Sequence, residues 1–264
     1  MNRTRLAAAV AVLSSAWPAA AQQQSAQPSS AVRRYVDARQ HEILREFTTL
    51  LALPNVARDR AAIRRNADTL VAMLRRRGLA PRILEAGDAA PAVYGEWLVP
   101  GATRTLVFYA HYDGQPADSL KWTGTHPWRP TWRTAAHDAG GRIVDAPAPG
   151  APVNPDWRLY ARSASDDKAG VMAIVTALDA IRASGRRPSA NIKLFFEGEE
   201  EAGSPHLAAL LGAHRELLGG ADAWIMVDGP VHQSRRKQVV FGVRGDVNVD
   251  LTVYGPARPL HSGH

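Results

Sequence analysis

Residues 105–114, Thr-Leu-Val-Phe-Tyr-Ala-His-Tyr-Asp-Gly, join an apolar run directly to an imidazole and a carboxylate. The run is nearly all apolar, which is typical of a central strand buried on both faces of a sheet. In open α/β sheets, ligands bind beyond the carboxyl ends of the strands, so His111 and Asp113 stand where a site is expected. Residues two apart on an extended chain point to the same side, which lets Asp113 reach His111 or its surroundings. Alone, a His-x-Asp pair is more often a surface hydrogen bond.

Helix and strand patterns alternate on both sides of this run. Apolar residues recur at helical spacing in Ala31–Leu53, Arg58–Arg77, Lys168–Ala183 and Pro205–Leu218. Strand-like runs occupy Pro81–Glu85, Val93–Leu98, Ile192–Phe196 and Ala223–Val227. The alternation predicts an α/β fold, a mostly parallel sheet flanked by helices on both faces. From residue 238 the pattern changes to two consecutive strands, Val239–Val243 and Asp246–Val253, which predicts the start of a smaller α+β domain.

The N-terminus has the features of an export signal. Arg3 and Arg5 precede a short apolar run, Leu6–Trp17, and Ala19-Ala20-Ala21 supplies the small residues of a cleavage site. The run is too short for a permanent membrane anchor. We therefore expect residues 1–21 to be a signal peptide, residues 22–30 to be a disordered linker, and the protein to be periplasmic or secreted.

Charge and composition limit the possible partners and the possible metal ligands. The formal net charge is +7, but the basic residues lie in short scattered clusters without a recognisable nucleic-acid module, so we predict no nucleic-acid partner. The chain has no cysteine. Any metal site must therefore use His, Asp and Glu, which excludes structural zinc bound by thiolates.

Three further acidic motifs stand at predicted element ends. Ser165-Asp166-Asp167-Lys168 opens a helix, residues 197–201 (Glu-Gly-Glu-Glu-Glu) follow an apolar strand, and Asp228 ends another strand. Each has a simpler explanation: a helix N-cap, a solvated acidic loop and a turn residue, respectively. Together with His111, however, they place one imidazole and several carboxylates on one rim of the sheet. That ligand set suits zinc, manganese or cobalt.

Several segments resemble the M20 metallopeptidases in order and approximate spacing. They are residues 110–114 (Ala-His-Tyr-Asp-Gly), 165–168, 197–204, 242–245 (Gly-Val-Arg-Gly) and 260–263 (Leu-His-Ser-Gly). The family includes carnosine-type dipeptidases, a glutamate carboxypeptidase, aminoacylases and succinyl-diaminopimelate desuccinylase. The resemblance, over roughly residues 31–264, implies a di-zinc catalytic domain at 31–242. It also implies that a dimerisation (lid) domain begins at 243–264.

The resemblance also implies a role for each candidate ligand. His111 would bind one metal, and Asp113 would orient it. Asp166 would bridge two metals, in this family often with a cis peptide after it. Glu201 would bind the second metal and Asp228 the first. Two zinc ions are expected, with manganese or cobalt as alternatives.

The same resemblance implies a hydrolase in which Glu200 is the general base that activates a water for attack on an amide bond. His261 would help stabilise the oxyanion from the partner subunit, which makes a homodimer part of the chemistry. An Asp at position 228 favours a dipeptidase or aminopeptidase. The alternatives are an N-acyl amino acid deacylase or desuccinylase, and a non-catalytic exported domain, against which the retained ligands argue.

The sequence departs from the family pattern at its end. No residue matches the late His that completes the second metal in relatives, and the chain stops at His264 within the expected dimerisation domain. We therefore expect a truncated chain that is inactive or nearly so by itself.

Overall fold

The computed structural model describes residues 19–229, 231–232, 234, 236–245 and 247–263, with side chains described from residue 30 onward. Most of the predicted signal peptide, residues 1–18, lies outside the described residues. In the described part of the chain, no helix is long and apolar enough to cross a membrane.

The chain divides into two compact units, one ending at Asp228 and the other beginning at Gly229. The division comes before the predicted domain boundary between residues 242 and 243. Among the described residues from 229 to 263 there is no helix or strand, so the two predicted strands are not formed there. Val247, Val249 and Leu251 alternate as in a strand but are exposed. An extended segment needs neighbouring strands for stability, and the described residues of this unit provide none.

Three helices cover one face of the main sheet: α1 (Ala19–Leu51), α2 (Arg60–Arg76) and α3 (Lys168–Ala183). Their buried side chains, among them Leu50, Leu74 and Val175, form one hydrophobic core with that face. Helix α1 continues through residues 22–30, where a disordered linker was expected. The four Gln and one Ala of residues 22–30 suit a helix, whereas Pro28 and three Ser do not, so local propensity gives no account of this extension.

The strands of the described residues are, in chain order, β1 (Arg82–Leu84), β2 (Ala92–Trp97), β3 (Thr105–His111), β4 (Thr131–Arg133), β5 (Ile143–Val144), β6 (Arg158–Tyr160), β7 (Asn191–Glu197) and β8 (Ala223–Met226). The main sheet has the order β1-β2-β7-β3-β8. Strand β3 pairs in parallel with both β7 and β8, as predicted, whereas β2 is antiparallel to β7 and to β1. The sheet is therefore mixed, and its parallel part carries the predicted site.

The opposite face of the sheet is covered by α4 (Leu207–Ala213) and α5 (Arg215–Leu218). Leu210 and Leu218 pack there with Tyr109 and Phe195 in a second core. One helix was predicted over residues 205–218, but the structure interrupts it at His214. Gly212, a weak helix former, lies just before the interruption.

Residues 114–156, a long segment rich in Pro, Gly and Trp, contribute β4 and β5 to a small antiparallel sheet. Strands β4, β5 and β6 form it in the order β5-β4-β6. Trp132 of β4 is buried, so at least one of the tryptophans packs the segment down. At the start of the segment, Gly114 forms an isolated parallel bridge with Val56, which ties it to the loop after α1.

Candidate metal centre

His111 is the last residue of β3 and is fully buried. Its Nδ1 lies 3.2 Å from Oδ1 of Asp113. Its Nε2 lies 2.8 Å from Oδ1 of Asp166, 3.6 Å from Oε2 of Glu200 and 3.9 Å from Oδ1 of Asp228. The structure thus brings five of the seven predicted site residues together around one imidazole.

The Asp113 carboxylate connects this imidazole to the acidic segment after β7. It is fully buried, and its two oxygens accept hydrogen bonds from the backbone N–H groups of Glu200 (3.1 Å) and Glu201 (3.0 Å). Asp113 therefore orients His111 and also fixes the turn that carries Glu200. The sequence predicted the contact with His111 but not the contacts with this turn.

The two aspartates at the start of α3 have different surroundings. Asp167 is buried; its Oδ1 accepts from the N–H of Gly170, and its Oδ2 from the N–H of His111, each at 3.1 Å. Asp166 is two-thirds exposed and approaches Nε2 of His111. The peptide bond between the two is cis, as the resemblance implies. Asp167 is thus the N-cap of α3, and Asp166 faces the candidate site.

Asp167 nevertheless lies close enough to belong to a metal-binding group. One ligand atom each from His111, Asp167 and Asp228 lie within 4.8 Å of one another. Both Asp167 oxygens already accept backbone hydrogen bonds, which leaves them fewer lone pairs for a cation. We therefore consider Asp166 the better-placed ligand and Asp167 its support.

Gly170 permits the close approach of α3 to the end of β8. A Cβ at this position would overlap Oδ1 of Asp167 and the carbonyl oxygen of Val227, the residue before Asp228. Only a residue without a side chain allows the cap and the strand end to meet here. Sequence reasoning did not identify this residue, because nothing local to a helix signals a neighbour from another strand.

The electrostatics of the cluster favour a positive charge at Nε2. Burial alone would lower the pKa of His111, but the Asp113, Asp166 and Asp228 carboxylates raise it to about 10. Burial raises the pKa of both Glu200 and Asp228, and the charge of His111 opposes that rise. Three carboxylates therefore converge where a proton or a divalent cation can balance them. A ligand set of one imidazole and several carboxylates fits a divalent metal, whose binding would displace the imidazole proton.

Of the two remaining predicted residues, Glu201 belongs to the same unit as this cluster but is not among the carboxylates within 4 Å of the His111 ring nitrogens. Glu201 accepts a hydrogen bond from Nε2 of Gln115 at 2.6 Å, a contact that the sequence did not indicate. His261 belongs to the unit that begins at Gly229, and its Nδ1 accepts from the N–H of Gly263 at 3.1 Å. The roles of both residues stay predictions.

A buried tyrosine–carboxylate pair lies beside His111. Tyr109 of β3 donates a hydrogen bond to Oε2 of Glu197 at 2.7 Å, and Glu197 is the register partner of His111. Burial raises the pKa of both Tyr109 and Glu197. The sequence placed Glu197 in the acidic motif but gave no sign of its partner, which comes from the neighbouring strand.

Comparison with known proteins gives consistent results. The model of peptidase family M20/M25/M40 matches residues 107–261. A Cys-Gly metallodipeptidase of Schizosaccharomyces pombe is 25% identical over 241 residues, which cover 86% of this chain and 46% of that protein. A succinyl-diaminopimelate desuccinylase of Acidovorax ebreus is 27% identical over 216 residues, 78% of this chain and 49% of that protein.

Among solved structures, human carnosine dipeptidase 1 superposes with a TM-score of 0.62 at 25% identity. The match covers 76% of this chain and 41% of the human chain. The present chain thus spans about half the length of the curated relatives it matches. Residues 107–261, which match the family model, contain the end of β3 and all of α3, β7 and β8, the elements that position the carboxylate cluster.

Proposed function

The chain belongs to peptidase family M20/M25/M40, and on that premise we propose that it provides the catalytic part of a metal-dependent hydrolase that cleaves the amide bond of dipeptides. The observation that carries the proposal is the environment of His111. Its Nδ1 is held by Asp113, while its Nε2 faces Asp166, Glu200 and Asp228 within 4 Å. This is how a neutral imidazole is prepared to ligate a cation: a carboxylate on the far nitrogen fixes its tautomer and raises its basicity.

The residues that would hold metal divide into two groups. His111, Asp166 and Asp228 would hold one divalent cation, and Asp166 with Glu201 would hold a second. We propose zinc for both, with manganese or cobalt as alternatives, because imidazole and carboxylate together suit these ions. A divalent cation here supplies Lewis acidity towards a carbonyl oxygen and lowers the pKa of water.

Glu200 is the proposed general base. Its carboxylate is partly buried, and burial raises its pKa, which improves its ability to accept a proton near neutral pH. The backbone N–H of Glu200 donates to Asp113, so the base is fixed to the residue that orients His111. Glu200 would take a proton from the attacking water as the water oxygen bonds to the amide carbon. It would then give that proton to the leaving amine as the C–N bond breaks.

The substrate class is supported by the relatives. The similarity to a Cys-Gly metallodipeptidase and to a carnosine dipeptidase supports short peptides as the substrates of this chain. The desuccinylase supports a second candidate, hydrolysis of an N-acyl amino acid by the same residues. We further propose export to the periplasm or medium, and a homodimer in which His261 contributes to the partner's site.

Glu200→Gln tests the proposal, with Glu216→Gln, an exposed residue of α5, as the matched control. We expect slow release of amino acids from a dipeptide panel by the zinc-loaded chain, measured by mass spectrometry. This hydrolysis should fall at least about 100-fold in Glu200→Gln, the usual effect of losing a positioned general base, and stay unchanged in the control. An N-acyl amino acid panel run in parallel separates the two substrate classes. Equal hydrolysis by both variants, or a chain that binds no divalent metal, would overturn the proposal.

A further inference from the structure

Asn55 is a fully buried polar residue in the loop between α1 and α2. Its Nδ2 donates hydrogen bonds to the carbonyl oxygen of Tyr112 at 2.8 Å and to Oγ of Ser163 at 2.9 Å. Its own carbonyl oxygen accepts from the N–H of Gly114 at 2.9 Å. Both N–H groups of the side chain therefore donate hydrogen bonds, one to the residue after His111 and one to a residue shortly before Asp166.

Further hydrogen bonds extend this network to Asp113 and to Trp128. Oγ of Ser163 donates in turn to the carbonyl oxygen of Asp113 at 3.2 Å, and Nε1 of Trp128 donates to Oδ1 of Asn55 at 3.3 Å. One side chain therefore connects three chain segments: the end of β3, the segment before α3 and the long loop after β3. The first two of these segments carry the candidate ligands His111 and Asp166.

The backbone at Ser163 and Gly114 is restricted by close packing around Asn55. Ser163 has a φ of 60°, in the left-handed region that residues other than glycine rarely adopt. A Cβ at Gly114 would overlap Oγ of Ser163 and lie only 3.1 Å from Nδ2 of Asn55. Such a conformation persists only where the surrounding contacts enforce it, and the hydrogen bond from Asn55 to Oγ of Ser163 is one of those contacts.

We propose that Asn55 is a positioning residue of the metal centre. By hydrogen bonding to Tyr112 and Ser163 at once, it fixes the distance between the strand end that carries His111 and the segment that carries Asp166. The inference rests on the proposed function, because it takes these residues to be metal ligands. Asn55 touches no reacting atom and acts only through the ligands.

Asn55→Asp is the informative variant. Aspartate has the size of asparagine and keeps an oxygen for Trp128, but it replaces the Nδ2 donor with an oxygen that faces two acceptors. Support residues behind metal ligands typically change metal affinity by about 10- to 100-fold when mutated. We expect a weakening of that size for Zn²⁺ by isothermal titration calorimetry. We also expect a changed Co²⁺ absorption spectrum, since the ligand geometry would relax.

Asn66→Asp is the matched control. Asn66 is also fully buried, and its Nδ2 also donates to two oxygens, the carbonyls of Pro54 and Ala62, but it lies on α2 and contacts none of the candidate ligands. We expect this variant to lose thermal stability and to keep wild-type Zn²⁺ affinity within about twofold and the wild-type Co²⁺ spectrum. The comparison separates a positioning effect from general destabilisation.

Ser163→Ala provides a second variant in case Asn55→Asp does not fold, because it removes the hydroxyl through which Asn55 reaches the Asp166 segment. A folded Asn55→Asp or Ser163→Ala chain with wild-type Zn²⁺ affinity and Co²⁺ spectrum would overturn the inference and leave the proposed function intact. The inference also fails if Asn66→Asp weakens Zn²⁺ binding equally. A wild-type chain that binds neither ion would overturn both the inference and the proposed function.

Discussion

Nε2 of His111 lies 2.8 Å from Oδ1 of Asp166, although the two residues are 55 positions apart in the chain. His111 ends a strand, and Asp166 precedes the helix α3, which packs against that strand's face of the sheet. A fully buried imidazole and a largely exposed carboxylate meet there, so the contact lies at the border between the core and solvent. This border position allows a cation to enter from water and bind a ligand that the core holds rigid.

Replacing Asp113 by Asn should weaken metal binding without unfolding the chain. The amide keeps one acceptor for the Glu200 and Glu201 N–H groups but loses the charge that orients His111. We expect Zn²⁺ affinity to fall by about 10- to 100-fold, measured by calorimetry. Asp118→Asn is the control, because Asp118 is exposed and only caps a short turn through the N–H of Leu120. Unchanged affinity in Asp113→Asn would show that Asp113 does not support a metal ligand.

Divalent metal should stabilise the folded chain. A ligand that binds only the folded state at 100 times its dissociation constant adds about 2.7 kcal/mol to the free energy of unfolding. We expect Zn²⁺ to raise the melting temperature in differential scanning fluorimetry, and chelation by EDTA to reverse the effect. His111→Ala should remove the Zn²⁺-dependent increase. A similar increase in His111→Ala would place the bound ion elsewhere in the molecule.

The ion-pair network that joins the three helices of one face should contribute to stability. Arg77 is 10% exposed and contacts Glu46 of α1 at 2.6 Å and Asp179 of α3 at 2.8 Å. Arg77→Met removes this partner from two partly buried carboxylates. The free energy of unfolding should fall by about 2 kcal/mol, which is less than for a fully buried pair because water still screens these charges. The control Arg64→Met, on α2, breaks only exposed pairs and should lower the free energy of unfolding by less than about 1 kcal/mol. Urea unfolding measures both, and equal losses would contradict the prediction.

The same network should make stability depend on pH in the acidic range. Burial raises the pKa of Glu46, but hydrogen bonds and charge from Arg77 and Arg76 outweigh it, so the pKa is lowered overall. The stabilisation from Glu46 is therefore full above its unfolded value of about 4.5 and is lost as the pH falls through the lower folded value. Burial raises the pKa of Asp179 despite Arg77, so Asp179 partly opposes this trend.

Glu46→Gln should therefore reduce the rise in the free energy of unfolding between about pH 3 and pH 5. Urea titrations at several pH values measure the slope. Glu42→Gln, an exposed residue of the same helix, should leave the slope as in the wild type. A wild-type slope in Glu46→Gln would show that this ion pair does not govern acid stability.

The sequence by itself determined α2, α3 and the five strands of the main sheet to within a few residues, and the residue types of the candidate site. It did so because helical and strand periodicity are local, and because the polar residues His111, Asp166, Glu200 and Asp228 stand immediately after apolar strands or before a helix. It did not indicate that β2 runs antiparallel to β7, since strand direction depends on how connections cross the sheet and not on the composition of the strand.

Only the tertiary structure decided which of two adjacent residues faces the candidate metal site and which one caps a helix. Asp166 and Asp167 are adjacent and chemically identical, yet one faces His111 Nε2 and the other caps α3. Asn55 gave no signal in the sequence, because its two acceptors lie 57 and 108 positions away and have their positions fixed by packing. A local pattern can name the groups that bind a cation, but which oxygen points at it is set by contacts between segments that are distant in the chain.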